Sequence, residues 1–125
     1  MKKLIIILYS TFSLGVQQGD YKDYYMEGAS HFTTKDYSLA ITSFKKSYQL
    51  KPLSQTAYYI ALSYDYIKNV DSCYHYSAIV LKDAKAKEQY KTECKKMFDS
   101  CEAIIKKNQT LNRQITTRTV VSHDT

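Results

Sequence analysis

Tyr24-Tyr-Met-Glu-Gly28-Ala-Ser-His31-Phe32, then Lys35-Asp36-Tyr37-Ser-Leu-Ala40-Ile41-Thr-Ser-Phe44-Lys-Lys-Ser47-Tyr48-Gln-Leu50-Lys-Pro52, is the stretch that decides the fold. Just ahead of it, Asp20 can cap a helix, and Asp23 falls in the first turn, where the helix dipole favours a carboxylate. A first helix is expected from about Tyr21 to Phe32, with Thr33-Thr34-Lys35-Asp36 as a turn. Asp36 caps a second helix through about Leu50. Pro52 ends it, because proline cannot continue a helix and pushes the preceding residue into extended backbone. Leu39, Ala40, Ile41, Phe44, Ser47, Tyr48 and Leu50 give this second helix an apolar face at helical spacing.

The pattern then recurs. Ser54 opens a third helix dominated by Tyr58, Tyr59, Ala61, Leu62, Tyr66 and Ile67. Lys68-Asn69-Val70-Asp71 matches the earlier turn, with Asp71 aligned to Asp36. That alignment sets Ser63 against Gly28 and Tyr66 against His31. It also sets His75 against Ala40 and Lys82 against Ser47, a poor fit at a tight helix crossing. Reading backwards from Ala78 to Asp83 gives a register different by about one turn, so a short fourth helix is expected. From Ala84, the residues Ala86, Tyr90, Cys94, Met97, Phe98, Cys101, Ile104 and Ile105 recur at helical intervals, opposite Lys87, Lys91, Glu93, Lys95, Lys96, Asp99 and Glu102. This is a long amphipathic helix, and nothing between Leu81 and Lys87 strongly separates it from the fourth. After Lys107 the apolar period dissolves, and residues 108–125 read as a flexible polar tail or an edge for another chain.

Tyr24, Gly28, Ala40, Phe44 and Pro52, in that order, resemble one tetratricopeptide repeat: two antiparallel helices, a short turn and a closing proline. The resemblance is good for residues 21–52, fair for 54–83 and absent beyond. It implies an all-α, right-handed stack of two antiparallel helix hairpins with a C-terminal capping helix, because one such unit cannot bury its apolar face alone. The domains are then residues 1–19 as a leader or anchor, 20–107 as the helical domain and 108–125 as the tail. Repeat packing would use Tyr24, Gly28, Ala40, Phe44, Pro52, Leu62, Ser63 and Tyr66.

At 125 residues the chain has room for one modest core. Three glycines and one proline leave long stretches free to be helical. Thirteen tyrosines and no tryptophan suit half-buried helix faces and binding surfaces, since tyrosine packs as an aromatic and keeps a polar tip. The net charge of +6 favours anionic partners without fixing one. Its bland reading is a lysine-rich solvated surface; nucleic-acid or anionic-surface binding is the rival.

Met1-Lys2-Lys3, the apolar run Leu4 to Tyr9, and Gln17-Gln18 after Val16 have the shape of a secretory signal peptide. The run is short of the about 20 apolar residues that span a bilayer. An export signal, an uncleaved anchor and a buried N-terminal helix of a cytoplasmic protein are the readings in descending order. The expected localisation is therefore exported, with cytoplasmic as the alternative.

No motif carries catalysis: there is no nucleophile elbow, phosphate loop, dinucleotide fingerprint, Cys-x-x-Cys or His-Glu-x-x-His. No cofactor or metal is expected. Cys94 and Cys101 lie two turns apart, too far to bond. Chain reversal near residues 83–85 would bring Cys73 opposite Cys94, so a Cys73–Cys94 disulfide in an oxidising compartment is weighed against buried free thiols. His31 stands where the repeat places an aromatic and reads as a packing residue.

The resemblance also implies a function. First helices of such repeats line the concave side, which would show Lys22, Tyr25, Ala29 and Phe32 from one unit and Ile60, Tyr64, Ile67 and Lys68 from the other. An aromatic and apolar groove with a basic rim suits a protein or peptide with apolar anchors and acidic flanks. Chaperone-binding members grip a terminal carboxylate with lysine and asparagine; Tyr25 and Ala29 occupy those places here. The expectation is a non-enzymatic adaptor for a protein or peptide, with nucleic acid unlikely and a membrane contact only through an uncleaved N-terminus. An intracellular chaperone is a further alternative.

Overall fold

The structure is a computed structural model that describes residues 19–123, with side chains through residue 119. Residues 1–18, and with them the leader and the export reading, lie outside the described residues. Among those described, the chain is all-helical: α1 Tyr21–Thr33, α2 Tyr37–Leu50, α3 Ser54–Tyr66, α4 Val70–Lys82 and α5 Glu88–His123. α1 with α2 and α3 with α4 form antiparallel hairpins. α3 packs on α2, and α5 packs on α4 and α3.

The two hairpins repeat in detail. Their turns each place a lysine in the left-handed region, Lys35 at φ 65° and Lys68 at φ 62°, 33 residues apart. Asp36 N–H donates to the His31 carbonyl at 2.8 Å, and Asn69 N–H to the Tyr64 carbonyl at 2.9 Å. Lys35 and Lys68 N–H donate in the same way to Phe32 and Asp65, at 3.0 and 3.1 Å. These bonds satisfy the carbonyls that a helix end leaves open.

This 33-residue period corrects the sequence alignment, which ran two residues long. The cap of α4 is Asn69, whose side chain accepts from Ser72 N–H at 3.2 Å; it is not Asp71. Gly28 therefore corresponds to Ala61 rather than Ser63, and Ala40 to Cys73 rather than His75. Ala40, Ala61 and Cys73 are all fully buried, while His75 is exposed. The steric conflict seen in the sequence disappears, and α4 is 13 residues long, nearly the 14 of α2.

Gly28 is the tightest point of the first hairpin. A Cβ built there would lie 2.6 Å from the Phe44 ring, so only glycine lets α1 and α2 approach this closely. Phe44, 1% exposed, is in turn held by the Tyr25 and Tyr59 rings at 5.5 and 5.7 Å. Ala57, Ile60, Ala61, Val80 and Cys94 continue the core between the hairpins and α5. Ser47 is buried but satisfied, donating to the Tyr21 carbonyl at 2.7 Å and tying α2 to the start of α1. Ser63 is likewise buried and donates to the Tyr59 carbonyl at 2.7 Å.

Other expected packing residues sit further out. Tyr24 and Leu62 are half-buried; Pro52 and Tyr66 are exposed, as are Leu39 and Leu50, which were expected on the apolar face of α2. Pro52 stops α2 from outside the core.

α4 and α5 are separate helices. Asp83 caps the break, accepting from the Ser54 hydroxyl and from Lys85 N–H. These two bonds hold its carboxyl below the ordinary carboxylate value, the Ser54 bond first. The first half of α5 buries Cys94, Met97 and Cys101. Residues 108–123 continue α5 as helix rather than as irregular chain: α5 runs through His123, a helix of 36 residues and about 54 Å. This segment holds no glycine or proline. The hydroxyls of Thr110, Thr116, Thr117 and Thr119 each donate to the carbonyl four residues back, so its threonines fit the helix rather than break it. Its side chains from Asn108 to Thr119 are all exposed.

Candidate functional site

The 33-residue period decides which side chains line the face shared by α1, α3 and the start of α5. Two residues along a helix rotate the side chain by about 200°. The alignment that paired Tyr25 with Ile60 and Ala29 with Tyr64 therefore chose the buried side of α3. Ile60 is fully buried and Tyr64 is 9% exposed. Tyr64 stacks on Tyr76 of α4 at 5.9 Å, and the Lys45 ammonium of α2 sits 5.4 Å from its ring, so it belongs to the α2–α4 side of the molecule. Neither residue can meet a ligand in this groove. The residues that correspond to Lys22, Tyr25 and Ala29 are Gln55, Tyr58 and Leu62.

A run of tyrosines crosses the three helices. Tyr25 of α1 meets Tyr59 edge to face at 6.1 Å. Tyr59 meets Tyr58 at 5.0 Å, and Tyr58 meets Tyr90 of α5 at 5.0 Å. The Gln55 side-chain amide donates to the Tyr25 hydroxyl at 2.7 Å and fixes that ring across the α1–α3 junction. Burial pushes the Tyr25 hydroxyl up to about 12, with Tyr59 adding to it; the Gln55 bond acts the other way. Tyr58 and Tyr59 are raised too, burial first. All are half-buried, with part of each ring open to solvent.

Two cavities lie along this run, on either side of the start of α3. One of about 350 Å³ is lined by Tyr21, Lys22, Tyr25, Met26, Leu53, Gln55 and Thr56. The other, of about 320 Å³, lies between Leu53, Gln55, Asp83, Lys85, Lys87 and Tyr90. They share Leu53 and Gln55 and form one interrupted groove. Met26 is 69% exposed and Leu53 37%, so its walls include exposed apolar side chains. Lys22, Lys85 and Lys87 stand at its margins, and Asp83, the one carboxylate on its walls among the described residues, already accepts two hydrogen bonds.

The other expected groove residues divide. Lys22 and Tyr25 line the first cavity. Ala29 packs against the core. Phe32 joins a separate cluster at the opposite ends of the helices, against Tyr37 at 5.4 Å and Tyr66 at 5.9 Å, where Tyr37 and Tyr66 stack at 4.5 Å. Lys68 and exposed Ile67 lie at the α3–α4 turn. Met26, Leu53, Gln55, Tyr58 and Tyr90 are the groove residues that the sequence alignment missed. The signal for them was the spacing of Tyr25 and Tyr58, 33 residues apart.

Among the described residues, the groove's polar members are Lys22, Lys85 and Lys87, the Gln55 amide, the bonded Asp83 carboxylate, and the hydroxyls of Ser54, Thr56 and the tyrosines. Among the described residues no group of three or more His, Cys, Asp or Glu side chains could hold a metal ion. The three cysteines are free and buried, as in the free-thiol reading weighed against a Cys73–Cys94 disulfide. Cys73 of α4 and Cys101 of α5 line one small cavity together, and Cys73 Sγ lies 4.0 Å from the Ser77 hydroxyl. No described helix is long and apolar enough to cross a membrane. Compared with known proteins, the chain matches no family model, no curated protein and no solved structure.

Proposed function

We propose that this protein is a non-enzymatic, tetratricopeptide-like interaction module that takes a peptide or helix with apolar anchors and acidic flanks into the groove along α1, α3 and the start of α5. The observation that carries the reading is the tyrosine run from Tyr25 to Tyr90, beside two cavities that share Leu53 and Gln55. Half-buried tyrosines give a ligand large apolar contact at little entropic cost, with hydroxyls left for its polar groups. Each cavity is at the low end of the size that takes one or two apolar side chains rather than a large cofactor. The flanking lysines add attraction for carboxylates and steer approach more than they add affinity.

The test uses fluorescein-labelled peptides with paired leucine or phenylalanine anchors and either acidic or basic flanks, read by fluorescence anisotropy. Acidic-flanked peptides should bind. Tyr25→Ala with Tyr58→Ala should weaken them by at least about tenfold while leaving helicity intact, since buried aromatic anchors dominate such interfaces. Equal binding of acidic and basic peptides, or capture that survives the double substitution, would remove the groove from the reading. Single-stranded DNA serves as the rival ligand; tight binding that falls steeply with salt would favour an anionic-polymer binder.

A further inference from the structure

Cys73 and Cys101 meet where α4 and α5 pack, far apart in sequence and on different helices. The Cys73 thiol lies 4.0 Å from the Ser77 hydroxyl, and Cys73 and Cys101 are near enough for each thiol to act on the other's ionisation. Both also line a small cavity of about 100 Å³, together with Asp65 and Asn69 from the α3–α4 turn region and Ser100 and Ile104 from α5. Cys94 is buried two turns earlier on α5 and does not line that cavity.

We propose that Cys73 and Cys101 are a redox pair, closing by thiol–disulfide exchange with a small-molecule disulfide into a bond that staples α5 to α4. The Cys101 thiolate attacks one sulfur of the small disulfide, releasing one thiol and leaving a mixed disulfide on Cys101. The Cys73 thiolate then attacks the Cys101 sulfur, releasing the second thiol. The protein loses two hydrogens, and the small disulfide is reduced to two thiols. Cys101 is the entry point, because it is 3% exposed at the cavity, while Cys73 is fully buried. Burial pushes Cys73 up to about 12, with Cys101 adding to it, so in reducing surroundings the pair is inert. Closure cross-links α4 to the buried half of α5 and removes freedom from the unfolded chain, which stabilises the fold.

The test is refolding of the reduced full chain in a buffer of reduced and oxidised glutathione, so that access to the buried thiols is not limiting. Free thiols are then alkylated and the chain is peptide-mapped by mass spectrometry. A Cys73–Cys101 linked peptide with alkylated Cys94 is expected. Tm should be higher than that of the reduced chain by about 10 °C or more, reversed by reductant. Cys94→Ala should keep both the link and the shift. Cys73→Ala and Cys101→Ala should each lose the shift, measured against their own reduced forms. A Cys73–Cys94 link, glutathione retained on Cys101 without closure, or a folded chain with all thiols free in that buffer would overturn the proposal.

Discussion

Replacing Gly28 by alanine tests the closest approach in the fold. In an open helix this change stabilises by about 1 kcal/mol, because alanine is the better helix former. Here the new Cβ would meet Phe44 Cδ1 at 2.6 Å, Cε1 at 2.8 Å and Cγ at 2.9 Å. Carbon atoms rest at about 3.5–4.0 Å, so the ring must retreat by roughly 1 Å. It cannot swing its far end away, because Cγ, next to the backbone, is among the atoms struck. Its other sides are occupied by Tyr25 and Tyr59. Overpacking of this kind costs about 1–3 kcal/mol, and more where nothing can yield. Against the propensity gain, a net loss of about 1–2 kcal/mol remains, a fall in Tm of roughly 5–15 °C for a domain of this size. Thermal and urea melts followed by circular dichroism measure it, with exposed Ser30→Ala as the control that should change little. Gly28→Ala combined with Phe44→Leu should recover part of the loss, since the two residues are in contact and their effects do not add. A Tm raised by Gly28→Ala to the extent of helix propensity would refute the close crossing.

Asp83 should make the fold acid-sensitive. Its carboxyl lies below the ordinary 3.8 because it accepts from Ser54 and from Lys85 N–H, so its contribution is full above 3.8 and disappears as pH falls through its lower folded value. The Tm gap between the wild type and Asp83→Ala, measured from neutral to strongly acidic pH, should therefore close below that point. Tyr25 should act at the other extreme. The unfolded chain ionises this hydroxyl near 10.0 and the folded chain only near about 12, so stability drains away across that window as pH rises. Tyr25→Phe should show a shallower alkaline decline in its melts. Ending the chain at Lys107 should leave Tm within about 2 °C, because the side chains from Asn108 to Thr119 are exposed. Ending it at Glu93 should abolish cooperative melting, since Cys94, Met97 and Cys101 leave the core.

Local signals located the helices well. Pro52, the Asp36 turn and the apolar period of α2 place the first hairpin within a residue of where it is found, because capping and proline chemistry act over a few neighbours. The second hairpin was legible as a hairpin but not in register. Asp71 resembles Asp36 more than Asn69 does, yet a side-chain amide caps as well as a carboxylate, and Asn69 took the position. That slip of two residues put Ile60 and Tyr64 in the groove when they are core. A separate error, placing the chain reversal near residues 83–85 when α5 begins only at Glu88, set Cys94 rather than Cys101 opposite Cys73. The threonine-rich end of the chain reads as irregular by composition. Its helix is permitted by the absence of breakers, and its threonine hydroxyls are accommodated by bonding back along it; neither leaves an apolar period to detect. The groove itself depends on tyrosines from three helices meeting, a tertiary fact that no single segment records.

The central claim is that two hairpins repeat every 33 residues and turn Tyr25, Tyr58 and Tyr90 to one face. A nuclear Overhauser spectrum of residues 20–107 tests it most directly. Contacts from Gly28 Hα to the Phe44 ring, between the Tyr37 and Tyr66 rings, and between the Tyr58 and Tyr90 rings are predicted together. A spectrum with Ser63 rather than Ala61 at the second crossing, or with Tyr90 remote from Tyr58, would contradict it.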